Sequence, residues 1–226
     1  MSARCRNPRL LAPIPILLGL ALAGCSSWLR SNAPPVQVYT LQAAAAPAAG
    51  ADDPHPAVAA SIRVAHPLAA PGLDTAQIVL RQPDHRMNVY AASTWAADAP
   101  ALIEALATQT LRAADEWSSV ADAESPFPSD YLLQISIRRF DADYSAGTEA
   151  PPTVHVTLDC TLGAAEGRTV LASFVAEGSV AAGANKLSEV VAAFQQATDR
   201  ALASLSQQTF AAARGASSHP TRSGSP

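Results

Sequence analysis

Aromatic side chains are scarce in this chain, at 5% of 226 residues, although apolar residues reach 49% because alanine is abundant. A core of that kind is built from small side chains and gives little sign of a large internal cavity. Positive charge is short as well. The formal net charge is −4 and the isoelectric point is near 5.7, which argues against a nucleic-acid partner, since such a partner requires a basic patch. Enzyme signatures are missing: there is no G-x-S-x-G elbow, CxxC pair, H-E-x-x-H motif or glycine-rich phosphate loop. His155 and Asp159 share a strand face, but at about 3.4 Å per residue they stand ~13 Å apart, too far for one proton relay or one metal. His55, His66 and His85 each lie in a proline-containing turn and read as loop residues. The sequence offers no catalytic residue and no set of metal ligands.

Cysteine is the next shortage, confined to Cys5, Cys25 and Cys160. The first two belong to an N-terminal pattern. Arg4, Arg6 and Arg9 make a positive segment, Leu10 to Leu22 is uncharged and apolar, and Leu22-Ala23-Gly24-Cys25 ends it with small residues on a cysteine. That order is a secretory signal peptide, and a cysteine at the cut point resembles the lipobox of a lipoprotein precursor. A spanning helix needs about 20 apolar residues; this stretch is shorter, and Pro13 and Pro15 interrupt it. The expectation is a signal peptide over 1–24, with Leu22, Ala23 and Gly24 read by the signal peptidase, and an acylated Cys25 opening a tether over 25–35. One acyl chain binds a membrane reversibly and stable anchoring takes two signals, which a diacylglycerol on Cys25 supplies. That covalent lipid replaces any cofactor; none other is expected. Ser26, not aspartate, follows the cysteine, which points to the periplasmic face of the outer membrane. Cys160 is then alone in an oxidising compartment, so no internal disulfide is available.

Residues 36–213 read as one domain, with an Ala/Pro-rich flexible loop over 43–57 and a disordered tail over 214–226. Short strands are expected at 36–41, 61–65 and 77–81, and Pro83-Asp84-His85-Arg86 turns the last of these into a strand over 87–91. From Pro100, Leu102, Ile103, Leu106, Thr110 and Leu111 line one helix face, with Asp98 at the start. Tyr131 to Phe140 alternates again. In Thr153 to Leu162, Val154, Val156, Leu158, Cys160 and Leu162 face one way, and His155, Thr157, Asp159 and Thr161 the other. Thr169 to Val180 is its hairpin partner. Val190, Val191, Phe194, Ala197, Ala201, Leu202 and Leu205 then recur at helical spacing. Strands, helix, strands, helix give an α+β two-layer sandwich, a largely antiparallel sheet with two helices packed on one face.

Pro71-Gly72-Leu73-Asp74-Thr75, then Ile78-Val79-Leu80-Arg81, then Tyr90, Trp95 and Pro100 leading into a helix resemble the ABC-type transport auxiliary lipoproteins, among them the paraquat-inducible protein C-like members. The lipobox, Tyr39-Thr40-Leu41 and the C-terminal helix agree with that resemblance, which covers residues 36 to 210. It implies a non-enzymatic component of an MCE/ABC-type intermembrane lipid transport system that docks an MCE-domain periplasmic protein and supports outer-membrane integrity. The alternatives are a periplasmic lipid-binding carrier and another outer-membrane assembly lipoprotein. Whether the chain is a homo-oligomer stays open. Trp95 is either a core cap at a strand-to-helix junction or, with Asp74, part of a partner interface, where tryptophan is enriched.

Cys25→Ser is expected to abolish incorporation of a clickable palmitate analogue and to leave an uncut or membrane-released chain. Equal labelling of the wild type and the variant would refute the lipobox assignment.

Overall fold

Within residues 35–44 and 58–217, the part of the chain described by the computed structural model, nine strands and two helices follow one another. They are β1 (Gln37–Tyr39), β2 (Val58–Val64), β3 (Leu68–Ala69), β4 (Gln77–Arg81), β5 (Met87–Trp95), α1 (Ala99–Ala113), β6 (Trp117–Ala121), β7 (Tyr131–Asp143), β8 (Thr153–Ala164), β9 (Thr169–Ala181) and α2 (Leu187–Ser217). The α+β two-layer architecture expected from the sequence is present, with both helices over one face of a single sheet and in contact with each other. Residues 1–34, 45–57 and 218–226, which include the expected signal peptide, Cys25 and most of the expected tether, loop and tail, lie outside the described residues.

Alternation decides the long strands. In β8 the five residues from Val154 to Leu162 that face one way are buried, and their neighbours are half-exposed. Twelve residue pairs join β7 to β8 and twelve join β8 to β9, all antiparallel. A bulge at Ile137/Arg139 shifts the register of β7, so Ile135, Ile137, Phe140 and Ala142 all reach the core side despite the irregular count.

The first half of the sheet is less of a meander than the sequence suggested. Only β4 and β5 form the anticipated hairpin. β2, β3 and β4 instead lie end to end along the free edge of β7, each parallel to it, at Tyr131–Leu133, Ser136–Ile137 and Ala142–Asp143. β1 joins β5 in parallel and β6 joins β2 in parallel. Side-chain alternation marks a strand and its buried face but carries no direction of pairing, so these short parallel ladders had no signature.

Helix α1 starts as anticipated. Asp98 Oδ1 accepts the Ala101 N–H at 2.9 Å and Pro100 occupies the first turn, a cap worth about 1 kcal/mol. Helix α2 runs beyond the boundary expected at 213: Phe210 and Ala213 are buried, the Arg214 guanidinium sits 5.6 Å from the Phe210 ring centroid, and the helix reaches Ser217. The residue just before the expected loop is also pinned, since Gln195 Oε1 accepts the Gln42 N–H at 3.0 Å and Gln195 Nε2 donates to the Gln42 carbonyl at 2.7 Å.

Two contacts seat α2 on the sheet. The Phe194 ring meets Trp95 edge-on at 5.1 Å between centroids and Phe140 at 5.1 Å, joining α2, β5 and β7. At Gly178 of β9 the helix backbone lies directly on the strand: a Cβ there would stand 1.8 Å from the Ala197 carbonyl oxygen. Gly178→Ala must therefore displace α2, at a cost of about 3 kcal/mol out of a total stability of about 5–15 kcal/mol. A urea titration should show the midpoint falling by that equivalent; an unchanged midpoint would mean that the helix does not rest there.

Candidate functional site

The face of β7–β8–β9 turned away from the helices carries polar groups. Arg139, Asp141 and Asp143 of β7 share it because they are spaced by two, beside His155 and Asp159 of β8 and Glu177 of β9. Asp141 is 0% exposed. Its carboxylate is held by Arg139 in a fork, Nε at 3.1 Å and Nη2 at 2.8 Å, with Arg81 Nε of β4 at 3.5 Å. Arg139 Nη2 also donates to Asp143 at 2.8 Å, and Asp143 accepts the Ser145 N–H at 2.9 Å. A buried carboxylate is tolerated when it is paired and its lone pairs are used, and the bidentate guanidinium fork is the strong form of that pairing.

The charges tune one another. Burial pushes Asp143 up, but the hydrogen bonds from Arg139 and Ser145 outweigh it and hold the carboxyl below the ordinary range. The hydrogen bond to Asp141 raises Arg139 further. Burial, then the nearby Arg139 charge, lowers His155, partly offset by Asp141, Asp143 and Glu177. The shift favours the neutral imidazole of His155 at the margin of an ionic cluster.

The other residues singled out from the sequence are dispersed. Asp159 pairs with Arg138 at 2.7 Å, both well exposed, a pair worth little. Cys160 is buried in the core, and burial pushes its thiol up to about 12, which makes it a poor nucleophile. Trp95 is 2% exposed between Phe140 and Phe194. Of its two anticipated roles the core cap is the one it fills; the interface role is corrected, because the ring is covered by α2. Trp117 is likewise buried, edge-on to Tyr131 at 5.7 Å. Asp74 remains exposed on the turn between β3 and β4, a turn anchored by buried Leu73. Among the described residues no three His, Cys, Asp or Glu side chains converge as a metal site, and no helix is long and apolar enough to cross a membrane. The Arg139–Asp141–Asp143 cluster was missed, though its spacing by two on a strand was readable.

The domain is two-layered, with one sheet face covered by helices and the other polar and open. Residues 39–206 match the family model of the ABC-type transport auxiliary lipoprotein component, and the chain belongs to that family. A solved protein of Xanthomonas campestris is similar to it at 25% identity and a TM-score of 0.72, over 80% of this chain and 99% of that one. A second solved, uncharacterized protein shares the fold at 14% identity and a TM-score of 0.59, over 77% and 99%. No curated protein matches the sequence.

His155 gives a pH dependence. Its pKa is lower folded than the ordinary value of about 6.5, so between the two values the unfolded state binds more protons and stability falls as pH falls. Melting temperatures should drop on acidification from pH 7 to 5, and less steeply in His155→Gln. Parallel curves for the two proteins would remove His155 from the acid response.

Proposed function

We propose that the chain is an accessory lipoprotein held through acylated Cys25 at the periplasmic face of the outer membrane, where its domain docks an MCE-domain protein of an ABC-type lipid transport system. The observation that carries this is membership of the transport auxiliary lipoprotein family over residues 39–206, read with the Leu22-Ala23-Gly24-Cys25 lipobox and the Ser26 that follows it. Physical support comes from the distance between anchor and domain. Cys25 precedes β1 by about twelve residues, which extended span at most ~40 Å. Confinement so near a surface raises the effective concentration of domain and partner, so a modest intrinsic affinity is enough.

An adaptor fits the domain interior better than a carrier holding an acyl chain between its layers. Where β9 meets α2 the backbones touch, leaving no room for even one methyl at Gly178, and Phe194 fills the space above Trp95 and Phe140.

Photocrosslinkers at Asp74 and at other exposed positions should capture the MCE-domain protein in cells, and loss of the gene should sensitise the outer membrane to detergents. Trp95, being covered, should give no such product. Crosslinking over the whole surface without an MCE-domain product would defeat the adaptor reading.

A further inference from the structure

A half-open groove of about 490 Å³ lies on the polar face of the sheet, at the start of β7. Leu132 and Gln134 of β7 and Thr161 and Gly163 of β8 form its floor, each offset by one from a buried core residue. Its walls are the loop that ends at Ser129 and the turn that carries Arg168 into β9. The volume is within the range of small-ligand sites, about 300–1,000 Å³.

Among the described residues two charged side chains line the groove, Arg63 and Arg168, and no carboxylate does. In a chain of net charge −4 that is a local inversion of sign. Arg81, Arg86, Arg112, Arg138 and Arg139 each meet an aspartate; among the described residues Arg63 and Arg168 meet none. Arg63 is instead oriented by donating through Nη2 to the Phe127 carbonyl. Asp130, the acid beside the groove wall, is engaged by the Ser61 N–H and hydroxyl at 2.7 Å each. The turn holds Arg168 at φ 51°, a left-handed conformation that a non-glycine residue adopts at a cost. Between the cations lie apolar surfaces, Leu132 and Val170, the latter 63% exposed to water.

We propose that this groove binds a phosphate-bearing anionic amphiphile. The guanidinium forks of Arg63 and Arg168 take the phosphate oxygens, as planar two-donor groups do best, with the Ser129 and Thr161 hydroxyls at hand. Leu132 and Val170 cover the first carbons of the attached hydrocarbon. A bare phosphate satisfies only the first half of that chemistry.

The test uses residues 36–226, the unit that holds all the described strands and helices, and isothermal titration with water-soluble dihexanoylphosphatidylglycerol, dihexanoylphosphatidylcholine and inorganic phosphate. Phosphatidylglycerol should bind, while the zwitterionic lipid and free phosphate should each bind at least about ten-fold more weakly. Arg63→Gln and Arg168→Gln should each weaken the anionic lipid about ten-fold, the loss expected for one charge-assisted contact. Val170→Ser should weaken the lipid and leave phosphate unchanged. Arg168 and Val170 are exposed and Arg63 is half-buried, and unchanged melting curves would establish that the variants are folded. Equal binding of both lipids, wild-type affinity in the Arg63→Gln/Arg168→Gln double variant, or no binding at all would overturn the proposal. Phosphate binding as tightly as the lipid would overturn the amphiphile and leave a site for a free anion.

Discussion

The seating of α2 on the sheet is the contact from which the rest of the domain follows. Gly178 lets the helix backbone come down onto β9, and a single methyl would lift it. Once the helix lies that low, Phe194 falls between Trp95 and Phe140, and three elements far apart in sequence share one aromatic cluster. Each such ring contributes about 1.5–3 kcal/mol by burial, and each ring pair about 0.5–1.5 kcal/mol more. In a chain with so few aromatics, that concentration in one place matters more than their number.

A helix layer on one face leaves the other face of β7, β8 and β9 to water, and both notable features of the protein lie there. At the far end of β7, Asp141 is enclosed by Arg139 and Arg81, a neutralised cluster that ties β4 to the main sheet. At the near end, Arg63 and Arg168 line a groove and, among the described residues, meet no acid. The contrast is one of use: paired cations serve the fold, and unpaired cations are available to a ligand.

That division of labour suits an accessory protein of a transport system. Its interior is closed where the layers meet at Gly178, and its exposed groups are distributed over turns and over the open sheet face.

Much of this was legible from residues taken alone. Period-2 spacing located β7 and β8 and their buried faces, because a side chain in a strand has only two sides to choose between, and β9 followed as the hairpin partner of β8. Helical spacing placed Phe194, Ala197, Ala201 and Leu202 on the buried stripe of α2, and Asp98 with Pro100 marked the start of α1. Order and spacing of short motifs around Asp74, Tyr90 and Trp95 pointed to the family. What the amino-acid order left undetermined was every property that depends on which strands become neighbours. The parallel ladders of β2, β3 and β4 along one edge of β7, the burial of Asp141 by an arginine from β4, and the meeting of Arg63 with Arg168 across the groove all arise between segments distant in the chain. Local patterning encodes the face a side chain takes, whereas pairing partners are chosen by the packing of the whole domain, and only the tertiary structure decides them.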